Sequence, residues 1–223
     1  MIASNPTLQL VIFDCDGVLV DSERITHEVL VAAVAELGLS LDVDEAMRLF
    51  MGNTLAATIR KIQALLGRAL PEDFVDAWRA RLYTEFRQRP VRAVPGVEVL
   101  LDSLRVPACV VSNGPMEKMR TTLGVTGLFE RFEGKVYSPD LGLRGKPHPD
   151  LLMAAARDFE AEPRHVVVIE DSPTGVSAAR AAGMRVFGFV AAAHTDAEEL
   201  QARGATLVYG MQDLQGLLAE ASE

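Results

Sequence analysis

Three short runs of consecutive apolar residues, each ending in polar side chains, constrain the fold of this chain more than any other feature. A strand with one exposed face alternates apolar and polar residues, so a continuous apolar run predicts a strand that is buried on both faces. Such strands belong to parallel sheets that helices cover on each side. The runs with their polar ends are LVIFDCD (residues 10–16), VPACVVSN (106–113) and HVVVIED (165–171).

Helix-forming segments separate these runs in the second half of the chain. Residues 149–159 begin with a proline, and residues 173–183 begin with a proline and end with a glycine, which is typical of helix ends. Residues 116–124 predict a further helix with Gly124 as its C-cap. This alternation predicts an α/β fold with a three-layer core, in which helices cover both faces of a parallel sheet.

Residues 22–89 interrupt the alternation because they contain helical patterns and no strand-like run. We predict that they form a small all-α domain inserted after the first strand, while residues 1–21 and 90–223 form the α/β core. One helix of the insert, predicted to start at Pro71, carries an apolar stripe that indicates packing against neighbouring helices rather than a binding surface. The stripe consists of Phe74, Trp78, Leu82 and Phe86.

The composition argues against a nucleic acid or a membrane as the main partner. Hydrophobic residues make up 49% of the chain, charged residues make up 24%, and the formal net charge is −9. Nucleic acids and anionic membranes favour an excess of Lys and Arg, and no run approaches the roughly 20 apolar residues that span a bilayer. Cys15 and Cys109 lie in apolar runs, which is typical of reduced, buried thiols. We expect a cytoplasmic monomer.

The polar ends of the three apolar runs are expected to meet. In an open parallel sheet, ligands bind beyond the carboxyl ends of the strands, and this edge would gather Asp14, Asp16, Glu170 and Asp171. Neighbouring carboxylates repel one another and raise their own pKa values. A divalent cation removes that repulsion, and oxygen ligands suit Mg²⁺, which we predict as the cofactor.

An anionic substrate at this acidic edge also requires a local cation, and Lys146 is the candidate. It lies in the loop GLRGKPHPD, just before a proline-started helix. Lys146 and a bound Mg²⁺ would together receive a phosphate group, while Ser112 and Asn113 would add neutral donors. The sheet edge is therefore predicted to bind a small phosphorylated metabolite.

Asp14 and Asp16 can take different roles, because Gly17 allows the chain to turn after the strand. One carboxylate can attack phosphorus and form an aspartyl phosphate. The other can protonate the leaving oxygen and then accept a proton from water. The residues alone leave open which carboxylate takes which role, and a turn-forming DxDG without a catalytic function is the alternative for this motif taken by itself.

The four polar segments together resemble the motifs of the haloacid dehalogenase superfamily of phosphohydrolases. DCDGV is similar to the first motif, VVSN to the second, the lysine of GKPHPD to the third and VIEDSPTG to the fourth. The motif spacing and the helical insert resemble the β-phosphoglucomutase-like branch, which has a Rossmann-like core and a mobile α-helical cap. The resemblance implies that Ser112 and Lys146 hold the transferring phosphoryl group.

The same resemblance implies the roles of the acidic residues. Asp14 would be the nucleophile and a Mg²⁺ ligand. Asp16 would be the general acid and base, and it would bind Mg²⁺ through its backbone carbonyl. Asp171, with Glu170 nearby, would complete the metal site.

Departures from the family patterns favour a phosphatase. The dehalogenases of the superfamily lack the second aspartate of the first motif, so Asp16 implies phosphoryl transfer. The mutases carry an arginine shortly after the cap glycine, near the position of Leu55. VVSNGPMEKM is similar to a bacterial subgroup that acts on phosphorylated sugars and sugar acids, including phosphogluconate phosphatases. We predict a Mg²⁺-dependent phosphatase of such a metabolite, with a phosphosugar mutase and a non-catalytic phosphate-binding module as the alternatives.

Substrate-binding candidates in the insert are Glu23, Asn53 and Thr54. Asn53 or Thr54 could instead be the N-cap of the helix that follows. For Arg48 and Lys61, exposure to solvent is favoured over substrate binding.

Overall fold

The computed structural model describes residues 8–51, 53–191 and 195–221, and within them the chain forms eight strands and ten α-helices. The strands are β1 (Leu10–Phe13), β2 (Val20–Asp21), β3 (Arg92–Ala93), β4 (Ala108–Val111), β5 (Val136–Tyr137), β6 (Val166–Glu170), β7 (Arg185–Phe189) and β8 (Thr206–Val208). The helices are α1 (Glu23–Ala35), α2 (Val43–Phe50), α3 (Leu55–Leu66), α4 (Phe74–Gln88), α5 (Val97–Ser103), α6 (Met116–Val125), α7 (Asp150–Asp158), α8 (Pro173–Ala181), α9 (Ala197–Ala202) and α10 (Met211–Glu220).

Six strands form one parallel sheet in the order β5-β4-β1-β6-β7-β8. Strand β1 lies inside the sheet, with Phe13 opposite Val110 of β4 on one side and opposite Ile169 of β6 on the other. Because the three strands are parallel, the residues that follow these positions leave the sheet at the same edge. The register therefore brings the polar ends of the three apolar runs together.

Both faces of the sheet are buried, which explains the continuous apolar runs. Along β1, Val11 and Phe13 belong to one hydrophobic cluster, and Leu10 and Ile12 belong to a second cluster on the opposite face. Helices α5, α6 and α10 contribute to the first cluster, and helices α7, α8 and α9 contribute to the second. The predicted three-layer α/β core with a parallel sheet is confirmed.

Helices α1 to α4 follow the first sheet strand and form the predicted all-helical insert. Strands β2 and β3 pair in antiparallel fashion at the two ends of the insert, so the chain enters and leaves it side by side. The assignment of residues 22–89 as a separate cap domain stays a prediction. The four helices share a third hydrophobic cluster that includes Leu30, Phe50, Ile62 and Phe74.

The end of α6 differs from the sequence prediction. The helix continues through Gly124, and the residue with a positive φ is Gly127, at +74°. The amide groups of Gly127 and Leu128 donate to the carbonyls of Gly124 and Leu123, at 3.1 and 2.8 Å. Leu123 and Leu128 are both fully buried, so an apolar contact accompanies these bonds and determines where the helix stops.

Helix α4 also differs from the prediction, both at its start and along its apolar stripe. It begins at Phe74, after Asp73 as N-cap, rather than at Pro71. Phe74, Leu82 and Phe86 are buried as predicted, but Trp78 is half-buried and lines a large cavity. The stripe thus packs against neighbouring helices, and part of it also lines the cavity.

The two cysteines are buried, as the sequence analysis predicts. Cys15 and Cys109 are free thiols and are fully buried. Among the described residues, no helix has the length and apolar character needed to cross a bilayer.

Candidate active site

Lys146 lies at the centre of a polar cluster at the carboxyl edge of the sheet. Its ammonium group donates to Asp14 Oδ1 at 2.6 Å and to the carbonyl of Val111 at 3.1 Å, and it also donates to Glu170 Oε1. The side chain is 3% exposed, so these partners rather than water satisfy it. Lys146 thereby joins the ends of β1, β4 and β6.

Burial and mutual repulsion change the ionisation of this cluster. Burial raises the pKa of Asp14 to about 7 against the opposing effect of Lys146. Burial, followed by the charges of Asp14, Glu170 and Glu23, raises the pKa of Asp171 well above its usual range. Burial by itself would lower the pKa of Lys146, but the carboxylates of Asp14 and Glu170 outweigh it and raise the pKa. The cluster therefore contains more acidic groups than the lysine neutralises.

Three carboxylates of the cluster could bind a metal ion. Asp14, Glu170 and Asp171 each offer an oxygen, and these oxygens lie within 4.8 Å of one another. Carboxylate oxygens are the donors that Mg²⁺ and Ca²⁺ prefer, and the surplus negative charge suits a divalent cation. Gly17 (φ +78°) brings the loop after β1 against this site, since a Cβ there would lie 1.9 Å from Asp171 Oδ2. The donor set and the shape of the loop both fit a metal ion.

Glu170 is held by the start of α8. Its Oε2 accepts hydrogen bonds from the amide and the hydroxyl of Ser172, at 3.2 and 2.9 Å. Gly175 packs directly against it, since a Cβ there would lie 1.8 Å from Glu170 Cδ. The N-terminus of α8 therefore holds the Glu170 carboxylate in place on the side opposite Lys146.

The side chain of Asp16 belongs to a different network. Lys118 Nζ lies 2.9 Å from Asp16 Oδ2, the Ser22 hydroxyl donates to Oδ1, and Glu23 Oε1 lies 3.7 Å from the same ammonium group. Of the four predicted metal ligands, Asp16 is the one whose carboxylate lies outside the cluster of three. This arrangement leaves only its backbone carbonyl for the predicted metal role.

Lys118 is a site residue that the sequence analysis missed. Its side chain is 12% exposed and lines the large cavity. Burial by itself would lower its pKa, but Asp16 and Glu23 raise it, so the group stays charged. In the sequence, the one indication of this role is that Lys118 is the third residue of α6, the helix that follows Ser112 and Asn113. A lysine in a first helical turn is usually exposed, and the pattern was therefore not informative.

Ser112 and Asn113 lie beside Lys146, but the amide of Asn113 is used internally. Its Nδ2 donates to the carbonyl of Lys146 at 2.9 Å, and its Oδ1 accepts from the amide of Lys146 at 2.7 Å. Ser112 Oγ accepts from the amide of Gly114 at 3.1 Å and keeps its own proton to donate. Asn113 thus positions Lys146, whereas Ser112 retains a donor for a ligand.

The three substrate-binding candidates of the insert have different surroundings. Glu23 and Asn53 line the large cavity, and Asn53 Nδ2 donates to the carbonyl of Leu49 at 3.0 Å. Thr54 is the N-cap of α3, since its hydroxyl accepts from the amide of Ala57 at 3.3 Å. Thr54 lines a smaller, second cavity instead of the large one.

Cationic side chains of the insert also line the large cavity. Leu55 lines it near the position where the mutases carry an arginine, but Arg48 of α2 and Arg79 of α4 line it as well. The interpretation of Arg48 as a purely solvated residue is therefore incomplete. The ammonium group of Lys61, in contrast, donates to the carbonyl of Leu49 at 2.8 Å.

The large cavity lies between the helical insert and the carboxyl edge of the sheet. It has a volume of about 640 Å³, within the range typical of small-molecule sites. A second cavity of about 510 Å³ shares Arg79, Asn113 and Lys146 with it. The polar cluster thus opens into a space that accommodates a small metabolite.

The parallel α/β fold, with a buried aspartate, a lysine and further carboxylates at one sheet edge, defines a phosphohydrolase-type enzyme. The family model of haloacid dehalogenase-like hydrolases matches residues 8–183, and the chain belongs to this family. The resemblance stated above is confirmed.

Individual relatives agree with this assignment. The chain is 34% identical over 188 residues to 6-phosphogluconate phosphatase from Escherichia coli (strain K12), which covers 84% of this chain and 85% of the relative. A haloacid dehalogenase-like protein from Agrobacterium tumefaciens has a similar structure, with a TM-score of 0.83, 37% identity, and coverage of 97% and 100% of the two chains. A family hydrolase from Deinococcus radiodurans, crystallised with phosphate and sodium, has a TM-score of 0.80, 35% identity, and coverage of 97% of each chain. The chain is a phosphoric monoester hydrolase.

Proposed function

We propose that this enzyme is a Mg²⁺-dependent phosphatase that hydrolyses a phosphorylated sugar or sugar acid through an aspartyl phosphate on Asp14. The observation that carries the proposal is the position of Asp14. It directly follows the inner strand β1, its Oδ1 lies 2.6 Å from Lys146 Nζ, and it belongs to the cluster of three carboxylates. The similarity to a 6-phosphogluconate phosphatase supports the substrate class.

Asp14, Glu170 and Asp171 would hold the Mg²⁺ ion, together with the backbone carbonyl of Asp16. When bound, Mg²⁺ screens the charge of the phosphate and aligns the reacting oxygens. Lys146, which the neighbouring carboxylates keep charged, offers its ammonium group to a phosphate oxygen. The hydroxyl of Ser112 donates a further hydrogen bond to the phosphoryl group.

The reaction proceeds in two transfers. A carboxylate oxygen of Asp14 attacks phosphorus, the bond from phosphorus to the ester oxygen breaks, and Asp16 donates a proton to the departing oxygen. A water oxygen then attacks phosphorus, Asp16 accepts a proton from that water, and the carboxylate of Asp14 departs. Both transfers need a site protected from bulk water, and we propose that the insert closes over the cavity about the segments 17–22 and 89–95.

A phosphosugar mutase is the second candidate, because Arg48 and Arg79 line the cavity and could bind a second phosphate group. A mutase would interconvert sugar phosphates with little release of inorganic phosphate, after priming by a bisphosphate. The third alternative, a non-catalytic phosphate-binding module, disagrees with the family membership and with the named phosphatase among the relatives.

The experiment is a screen of phosphorylated sugars, sugar acids and nucleotides for released inorganic phosphate in the presence of Mg²⁺. We expect release from sugar or sugar-acid phosphates, a loss of activity in EDTA, and a loss of at least about 10³-fold in Asp14→Asn, because an amide cannot form the acyl phosphate. Isomerised sugar phosphates without phosphate release would favour the mutase. Undiminished activity of Asp14→Asn or of the EDTA-treated enzyme would contradict the mechanism.

A further inference from the structure

The side of the large cavity formed by α4 carries hydrogen-bond donors that no described residue satisfies. Trp78 Nε1 is buried and has no partner within the described parts of the chain. The next residue, Arg79, is half-buried and forms no ion pair or hydrogen bond with any residue that the structure describes. Both residues line the cavity. Because unpaired buried donors are unfavourable, this surface favours a ligand with acceptor atoms.

The other buried cations of the cavity are already paired. Lys146 contacts two carboxylates at the phosphate end, and Lys118 contacts two others. At the start of α9, Asp196 adds negative charge to the lining, whereas Glu199, which also lines the cavity, is paired with Arg203. A second anionic group on the substrate would therefore be repelled by most of the cavity and attracted to Arg79.

Arg48 of α2 adds to this attraction. It is exposed, lines the same cavity and has no ion pair among the described residues. Among the described residues, the lining cations without an ion pair thus belong to the helical insert, whereas the paired cations Lys118 and Lys146 belong to the core. A substrate with a phosphate group at one end and a carboxylate group at the other matches this distribution of charge.

We propose that Arg79 and Trp78 form a subsite for a carboxylate group, so that the enzyme selects sugar-acid phosphates over neutral sugar phosphates. A planar guanidinium group binds a carboxylate through two parallel hydrogen bonds, and the indole N–H donates to one further acceptor, such as a neighbouring hydroxyl. This inference rests on the proposed phosphatase function, and it specifies the carboxylate as the group of the substrate that the enzyme recognises.

The test compares gluconate 6-phosphate with glucitol 6-phosphate, which differ only in the carboxylate or hydroxymethyl group at carbon 1. We expect the wild-type enzyme to prefer the acid by at least about tenfold in kcat/KM, and Arg79→Met to reduce this preference by about 10- to 100-fold. Arg79→Lys keeps the charge but loses the paired geometry, so we expect an intermediate value. The matched control is Arg87→Met, an exposed arginine of the same helix, which should keep the preference.

Trp78→Phe keeps the ring and removes the donor, so we expect a higher KM for the acid with little change in kcat. The inference would be overturned if the wild-type enzyme had the same kcat/KM for the two substrates. It would also be overturned if Arg79→Met lowered kcat/KM by the same factor for both. A stronger preference for a hexose bisphosphate than for the acid would also overturn it, because the subsite would then select a second phosphate.

Two measurements separate this inference from the proposed function. If the wild-type enzyme with Mg²⁺ hydrolyses no phosphate ester, including p-nitrophenyl phosphate, the proposed function fails. The inference is then tested by calorimetric binding of the two hexose derivatives to the Asp14→Asn protein. Binding of the acid that weakens at least about tenfold when Arg79→Met is added supports the subsite, and unchanged binding contradicts it.

Discussion

The ammonium group of Lys118 lies 2.9 Å from Asp16 Oδ2 and joins the residue proposed as acid and base to helix α6. The hydroxyl of Ser22 engages the other oxygen, so both oxygens of this carboxylate are oriented by protein groups. Glu23 Oε1 lies 3.7 Å from the same ammonium group and gives Lys118 a second acidic neighbour. Lys118 is therefore placed to position Asp16 for proton transfer.

Removal of the Lys118 charge is expected to affect substrates according to their leaving groups. In Lys118→Met, the misplaced carboxyl group of Asp16 donates its proton poorly to the departing oxygen, so kcat for an alkyl phosphate should fall about 100-fold. The kcat for 2,4-dinitrophenyl phosphate should fall much less, because its leaving group needs no proton. Steady-state kinetics on the two esters measure the difference.

Lys118→Arg should restore part of the alkyl phosphate activity, because it keeps a cation beside Asp16. Lys135→Met, at an exposed lysine, is the control and should behave as the wild-type enzyme. Equal losses of Lys118→Met on both esters would show that the lysine supports folding rather than proton transfer.

Asp171→Asn is expected to stabilise the metal-free enzyme and to remove its stabilisation by Mg²⁺. Because the pKa of Asp171 in the folded chain is raised above its value in the unfolded chain, ionisation of this carboxyl lowers the free energy of unfolding as the pH rises through that pKa. The asparagine side chain cannot ionise, and it also lacks the negative charge that binds a metal ion.

Thermal melts at pH 5 and pH 8, in EDTA and in Mg²⁺, measure both effects. In EDTA at pH 8 the variant should melt above the wild-type enzyme, by about 2–4 °C for each kcal/mol gained. At pH 5 this gain should be smaller. A variant that melts lower in EDTA at pH 8 and still responds fully to Mg²⁺ would contradict the metal assignment.

Gly175→Ala is expected to destabilise the protein although alanine usually favours a helix. The new Cβ would lie 1.8 Å from Cδ of Glu170, whose carboxylate is held by Lys146 and Ser172 and has no room to move. We expect a loss of about 2 kcal/mol in the free energy of unfolding, measured by denaturant titration.

Gly216→Ala provides the matched comparison, because Gly216 lies in α10 and a Cβ there meets no atom within 4 Å. This substitution should raise the free energy of unfolding by up to about 1 kcal/mol. If the two variants had the same stability, the close packing of Gly175 on Glu170 would not be the cause of the loss.

Cys15 and Cys109 are expected to resist thiol reagents in the folded protein. Both are fully buried, and burial raises the pKa of each thiol, so the reactive thiolate is scarce as well as inaccessible. Titration with Ellman's reagent should detect little fast reaction in buffer and two thiols per chain in guanidinium chloride. A rapid reaction of one thiol under native conditions would contradict the burial of that residue.

The sequence by itself determined the sheet and the composition of its polar edge. The continuous apolar runs predicted strands buried on both faces, and Leu10 and Ile12 do face one cluster while Val11 and Phe13 face the other. Parallel strands leave the sheet at a common edge, so the meeting of Asp14, Lys146 and Glu170 followed from the topology.

Only the tertiary structure decided how the remaining polar groups are paired. Lys118 and Arg79 are both cations on helices, yet Lys118 is bound to Asp16, whereas Arg79 lines the cavity without a hydrogen bond or ion pair to a described residue. The side-chain amide of Asn113, a residue that also lines the cavity, pairs with the backbone of Lys146. Periodicity determines which face of an element is apolar, but the pairing of polar groups depends on how that element is rotated and placed against partners distant in sequence.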